Sequence, residues 1–197
     1  VRGTGTARHT PAAEPSYSGT VITTERLHLR PASTSDLDFW VALHADPEVN
    51  QFVGSYTHER AEIRLRDIEN CWATHGYGLC VVESLETGEA IGRSGLNWWE
   101  EFGETEVGWT FERAHWGQGY ATEAARAVLD WGFFDLELTR ITAMIAPENK
   151  ASIAVAERLG FTPRREDEVL GKPCTVYALD RPQKRFRDRS QVASPSR

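Results

Sequence analysis

A chain of 197 residues, 40% hydrophobic and 26% charged, has room for one domain with a sizeable core. It holds no run of eighteen apolar residues and no signal-peptide apolar segment, which argues against a membrane partner and makes the cytoplasm the expected compartment. Cys71, Cys80 and Cys174 form no CxxC pair and the six histidines show no ligand spacing, so no disulfide framework and no metal site is expected.

The net charge of −7 is unevenly spread. Residues 1–19 and 182–197 are both net basic, which leaves the body between them strongly acidic. Such a body disfavours direct nucleic-acid binding and favours cationic partners, an ammonium-bearing acceptor among them. Neither end has an apolar period. The expectation is a flexible extension over 1–19, one domain over 20–181, and a flexible basic tail over 182–197.

In chain order, Glu25 to Arg30 alternates with Leu27 and Leu29 on one face, and Pro31 closes this first strand. Ser33, Thr34, Ser35 and Asp36 are N-cap candidates for a helix carrying Leu37, Trp40, Val41 and His44, which Asp46-Pro47 ends. A short helical segment over Glu48–Phe52 follows. A long helix then runs from about His58 to Thr74, its apolar stripe formed by Ala61, Leu65, Ile68 and Trp72. Gly78–Glu83 reads as a buried strand, Glu86-Thr87-Gly88 as a hairpin turn, and Ala90–Leu96 as the returning strand.

Thr105 to Phe111 alternates cleanly, with Thr105, Val107, Trp109 and Phe111 on one face and Glu106, Gly108 and Thr110 on the other. A turn, Gly117-Gln118-Gly119-Tyr120-Ala121, leads to Thr122 as the expected N-cap. Ala124, Ala125, Val128, Leu129 and Phe133 then recur at helical spacing. In such a strand–glycine turn–helix unit the backbone can approach a ligand closely, and successive amide N–H groups form a nest for a phosphate or diphosphate. Arg140–Ala146 is a further strand. Asn149 is placed to cap a helix over Ala151–Leu159, with Gly160 as its stop. Phe161–Glu166 and Thr175–Leu179 are the last strands, joined through Glu168–Cys174. Strands alternating with helices, several hairpins and one glycine-bearing crossover predict a mixed α/β sheet.

The string Trp116-Gly117-Gln118-Gly119-Tyr120-Ala121-Thr122-Glu123-Ala124 resembles the acetyl-CoA pyrophosphate loop of the GNAT N-acetyltransferase superfamily. The likeness is greatest to the ribosomal-protein N-terminal acetyltransferase branch. It extends from Glu25-Arg26-Leu27 to about Leu179 and includes Asn149-x-x-Ser152 followed by Glu157-Arg158-Leu159-Gly160-Phe161. The fold it implies is an α+β sandwich with a mixed, mostly antiparallel central sheet flanked by helices and splayed at the acetyl-CoA cleft. The activity it implies is transfer of acetyl from acetyl-CoA, as cosubstrate, to a primary amine by direct attack in a ternary complex. The acceptor is a protein N-terminus or a small-molecule amine, and a homodimer is left open. No Cys or Ser lies in a nucleophile setting, which disfavours an acyl-enzyme. The rival reading is a non-catalytic acyl-CoA-binding sensor or interaction module.

By the same resemblance, donors at Trp109, Thr110 and Phe111 hold the pantetheine and thioester. The loop of Trp116, Gly117, Gln118, Gly119, Tyr120, Ala121 and Thr122 grips the diphosphate, chiefly through backbone amides. Asn149 positions the cosubstrate, and Ser152, near the sulfur, is a candidate proton donor to the thiolate. Glu106 is the preferred general base, with Glu100, Glu101 and Glu104 as alternatives or as a field attracting the amine. Most of the superfamily has Arg or Gln where Trp116 stands, so Arg113 and Arg126 are candidates to supply the missing charge. Much of it has tyrosine where Ala156 stands, which leaves the general acid to Ser152, Tyr120 or water. Trp98 and Trp99, beside the acids, could line an acceptor pocket.

Overall fold

The computed structural model describes residues 21–186. The expected N-terminal extension, and the expected tail from residue 187 on, lie outside the described residues. Thirteen elements follow in order: β1 Ile22–Thr23, β2 Leu27–Pro31, α1 Leu37–Leu43, α2 Pro47–Val53, α3 His58–His75, β3 Leu79–Ser84, β4 Ala90–Trp99, β5 Glu104–Phe111, α4 Tyr120–Phe134, β6 Arg140–Ile145, α5 Lys150–Leu159, β7 Thr162–Val169 and β8 Lys172–Asp180. The eight strands form one sheet in the order β1-β2-β3-β4-β5-β6-β8-β7. Each neighbouring pair is antiparallel except β5 and β6, which are parallel. This is the mixed, mostly antiparallel sheet with flanking helices that the sequence predicts.

The helices start and stop for local reasons. Asp46 accepts from the Glu48 N–H at 2.8 Å and Pro47 opens α2, so the pair that ends α1 also begins its successor. Thr57 accepts from the Arg60 N–H at 3.3 Å to cap α3, whose stripe of Ala61, Leu65, Ile68 and Trp72 is buried. Helix α4 buries Ala124, Ala125, Val128, Leu129 and Phe133 completely. Each buried Val, Leu or Phe contributes about 1.5–3 kcal/mol over exposure. Gly132 lets α4 close on the sheet, since a Cβ there would meet Ile141 Cδ1 at 2.8 Å and Leu96 Cδ1 at 3.3 Å.

Four local expectations are corrected. Helix α4 begins at Tyr120, so Gly119 and not Thr122 is its N-cap. Gly119 has φ +84°, and this left-handed turn delivers the chain straight into the helix three residues early. Strand β7 runs to Val169 although nearly every residue in it is exposed. As an edge strand it needs no apolar face, and its charges guard the unpaired side. It joins β8 through Leu170 (φ +51°) and Gly171 (φ +75°), a two-residue hairpin turn in place of the long connection over 168–174. Strand β2 begins at Leu27 and includes Pro31, paired with Cys80, while the two-residue β1 has no signal in the sequence. Past residue 181 the chain still touches the domain: Arg185 pairs with Asp135 at 2.9 Å and the Phe186 N–H donates to Asp130 at 2.7 Å.

The sheet opens at one place. Strands β5 and β6 pair only at Glu106 and Thr142, and beyond that point they part.

Candidate active site

A cavity of about 960 Å³ lies where β5, the glycine turn, the first turns of α4 and α5, and the end of α2 converge. Trp109, Thr110, Phe111, Trp116, Gly117, Gly119, Tyr120, Ala121, Thr122, Asn149 and Ser152 all line it. Nine of these come from the one stretch 109–122, but Asn149 and Ser152 are brought in at the start of α5 by the crossover. Gln118 and Glu106 do not line the cavity. The Gln118 side chain folds back to donate to the Ala114 carbonyl at 3.0 Å.

Both loop glycines are left-handed, Gly117 at φ +75° and Gly119 at φ +84°, and the turn ends on the N-terminus of the fifteen-residue α4. The first amides of a helix have no intrahelical acceptor and carry the positive end of its dipole. Besides Arg26, three cations line the same cavity: Arg126, Lys150 and Arg158. None of them makes an ion pair among the described residues, whereas Arg113 is tied to Glu48. Of the two arginines proposed to replace the charge missing at Trp116, Arg126 is therefore the one at the cavity. Trp116 itself donates through Nε1 to the Phe111 carbonyl at 2.8 Å, which holds its ring across the loop.

Arg26 had no signal as a site residue, because its partners lie more than ninety positions away. Its guanidinium donates to Glu123 Oε2 at 2.7 Å and to the Gln118 carbonyl at 3.1 Å, and lies 4.3 Å over the Tyr120 ring. Thr24 donates to the other Glu123 oxygen at 2.5 Å. Burial pushes the Glu123 carboxyl up, but the bonds from Thr24 and Arg26 outweigh it and hold the pKa below the usual value. The start of the chain thus staples the glycine turn to α4.

Glu106 sits in the fork between β5 and β6. Its Oε2 accepts from Trp99 Nε1 at 2.6 Å and its Oε1 from the Met144 N–H at 3.2 Å. Burial raises its pKa, partly opposed by those two bonds and by the nearby charges of Arg93 and Arg64. Trp99 thus holds Glu106, and neither it nor Trp98 lines the cavity; Trp98 donates to Glu100 at 2.7 Å. Glu104 is clamped by Arg165 through bonds of 2.9 and 3.2 Å, which gives one of the three acids of that loop a counter-charge. On α5, Asn149 Oδ1 accepts from the Ser152 N–H at 3.1 Å as an N-cap. Trp109 Nε1 donates to Ser152 Oγ at 3.3 Å, which leaves the serine hydrogen for another acceptor. Ala156 is fully buried, and no group of residues able to hold a metal ion occurs among the described residues.

Comparison with known proteins bears on this arrangement. The sequence model described as "Acetyltransferase (GNAT) domain" matches residues 26–162. The protein YkkB of Bacillus subtilis (strain 168) is 36% identical over 166 residues, covering 80% of this chain and 94% of its own. The crystal structure of an acetyltransferase from Agrobacterium tumefaciens str. C58 superposes with a TM-score of 0.74 at 33% identity, over 85% of this chain and 98% of that one. RimL, a ribosomal α-N-protein acetyltransferase in complex with coenzyme A, shares the fold with a TM-score of 0.69 at 19% identity, over 82% and 98% of the two chains.

Proposed function

The chain belongs to the GNAT acetyltransferase family, and from that premise we propose that it transfers the acetyl group of acetyl-CoA to a primary amine by direct attack in a ternary complex. The acceptor is a protein N-terminus or a small-molecule amine. The observation that carries this reading is the single β5–β6 pair at Glu106 and Thr142, opening beside the two left-handed glycines. An extended pantetheine arm fits such an open strand edge, and the turn with its three cations suits a diphosphate.

In this reading the amides of the glycine turn and of early α4 hold the diphosphate, with Arg126, Lys150 and Arg158 neutralising its charge. Backbone groups of Trp109–Phe111 align the thioester. Glu106, its pKa raised by burial, accepts a proton from the ammonium, through water if the amine stays at the cavity. Ser152, fixed by the N–H of Trp109, donates to the departing thiolate in place of the tyrosine that Ala156 replaces.

The test is release of free CoA thiol from acetyl-CoA across a panel of N-terminal peptides and small amines, with calorimetric binding of CoA measured alongside. Turnover of any amine supports the enzyme. Tight CoA binding with no turnover on the whole panel supports the rival, an acyl-CoA sensor, for which the buried Ala156 is the favouring observation.

A further inference from the structure

The face of the sheet that bears Glu106 also bears an arginine with no carboxylate partner among the described residues. Arg93 on β4 lies deep beneath the surface yet keeps partial solvent contact, and it makes no ion pair among the described residues. Its Nε donates to His44 Nε2 at 3.4 Å, while His44 Nδ1 lies 2.8 Å from the Trp40 carbonyl. This pattern requires a neutral imidazole, with the hydrogen on Nδ1, so His44 supplies an acceptor and no counter-charge. Arg64 of α3 is similar: its guanidinium donates to Asn97 Oδ1 at 3.0 Å and has no carboxylate partner among the described residues. The one acid that both arginines attract is Glu106, whose two oxygens are taken by Trp99 and Met144.

Two unpartnered polar atoms belong to residues next to Arg93. Among the described residues, Trp40 Nε1 and Thr110 Oγ1 are the only buried side-chain donors or acceptors with no partner. Arg93 lies 5.4 Å over the Trp40 ring, and Thr110 is its cross-strand neighbour. Buried polar groups are nearly always paired, so a deeply set guanidinium with no carboxylate partner among the described residues needs an explanation. An anion on the guanidinium supplies one. The location fits too. Arg93 Nη1 comes within 3.7 Å of where a Cβ of Gly108 would stand, so the guanidinium covers the residue between Glu106 and Thr110 on their shared face. Gly108 is two residues from Glu106, about 7 Å along a strand.

We propose that Arg93, supported by Arg64, receives a carboxylate of the acceptor, so that the amine acetylated by this protein belongs to a molecule carrying a carboxylate close to that amine. This rests on the acetyltransferase reading and narrows its substrate class. The carboxylate belongs either to a free amino acid or to an acidic residue near a peptide's N-terminus. Guanidinium is suited to it, because its planar fork binds carboxylate through two hydrogen bonds.

The experiment uses the full chain and matched acceptor pairs: free amino acids against their amides, and peptides with Asp or Glu at the first two positions against their Asn or Gln counterparts. The carboxylate member is expected to have the higher kcat/KM, and the two sets tell which source supplies it. Arg93→Met is expected to lower the ratio of kcat/KM for the carboxylate member to that for the amide member by about 10- to 100-fold while leaving the KM for acetyl-CoA near wild type. Arg93→Lys restores part of the loss, and Arg64→Gln, which removes only the supporting charge, gives a smaller loss of the same selectivity. Equal rates on both members, or equal loss on both in Arg93→Met and Arg64→Gln, would overturn the proposal. Binding of N-acetyl amino acids, followed by calorimetry in wild type and the same variants, reads the site without turnover. Lost binding in the variants with no amine acetylated would uphold the carboxylate site and reject the enzyme; no binding in wild type and no carboxylate preference would reject the site alone.

Discussion

The Met144 N–H donates to Glu106 Oε1 at 3.2 Å, so a side-chain carboxylate occupies the point where two parallel strands stop pairing. A strand edge that opens leaves backbone donors in need of acceptors. Here Glu106 satisfies one of them while Trp99 holds its other oxygen. The fork in the sheet and the environment of its carboxylate are therefore one feature, and burial in that fork raises the Glu106 pKa.

Replacement of Glu106 by Gln is expected to lower kcat by about 10²–10⁴-fold, the usual worth of a positioned general base. The wild-type rate should rise with pH through a limb displaced above the ordinary carboxylate range, because the base form accumulates only as pH passes the raised pKa. Trp99→Phe removes a hydrogen bond that favours the charged form, and so should move that limb further up. Initial rates from pH 5 to 9 on a confirmed acceptor check both. An unchanged limb in Glu106→Gln would assign the base elsewhere.

Arg26→Ala tests the staple between the first strands and the glycine turn. The ion pair to Glu123 is partly exposed and worth about 1 kcal/mol or less, and the stacking on Tyr120 adds about 0.5–1 kcal/mol. The KM and dissociation constant for acetyl-CoA are expected to rise about three- to tenfold with kcat little altered. Calorimetric titration with CoA separates this from a general loss of stability, which the melting temperature reports.

How much of this was legible in the sequence follows from how local each signal is. The alternation over 105–111, the glycine turn and the helical period after it each lie within a short window, and all were readable. So was the cap at Asn149, since Asn is a preferred N-cap and its partner is three residues on. Arg26 and Trp99 were not assigned their roles, because their partners, Glu123 and Glu106, are brought to them only by the folded chain. Edge strand β7 was cut short for a different reason. Past Glu166 it runs through the charged Asp167 and Glu168, and only the pairing with β8 extends the strand to Val169. The Thr122 cap failed because a left-handed glycine can open a helix with no side-chain cap at all.

Gly119→Ala is expected to strain the backbone at φ +84° and to weaken CoA binding together. Loss of glycine at such an angle costs about 1–2 kcal/mol. For a domain of this size that lowers the melting temperature by about 2–8 °C. Gly88→Ala is the control: it has φ +75° and open space around it, in a hairpin remote from the cavity. Both variants should lose stability alike, and only Gly119→Ala should lose affinity for CoA. Equal affinity in the two would remove the glycine turn from the binding site.

His44 makes the stability of the domain sensitive to acid. It is fully buried, and burial, reinforced by Arg93 and opposed by the Trp40 carbonyl, lowers its pKa from 6.5 to about 4. Between those values the unfolded chain binds a proton that the folded chain does not, so stability rises with pH across the window and is lost as pH falls through it. Below pH 4 both states are protonated and the loss is complete, at roughly 3 kcal/mol for this group. Carboxylates titrate at the acid end as well, so the informative range is pH 5 to 6.5. There the melting temperature of the wild type should fall with acidification, and that of His44→Gln, which carries no titrating group at this position, should fall less steeply. Arg93→Met should also flatten the wild-type slope, because removing the neighbouring positive charge lets the imidazole protonate more easily. Parallel slopes in all three proteins would mean that His44 is not held neutral in the fold.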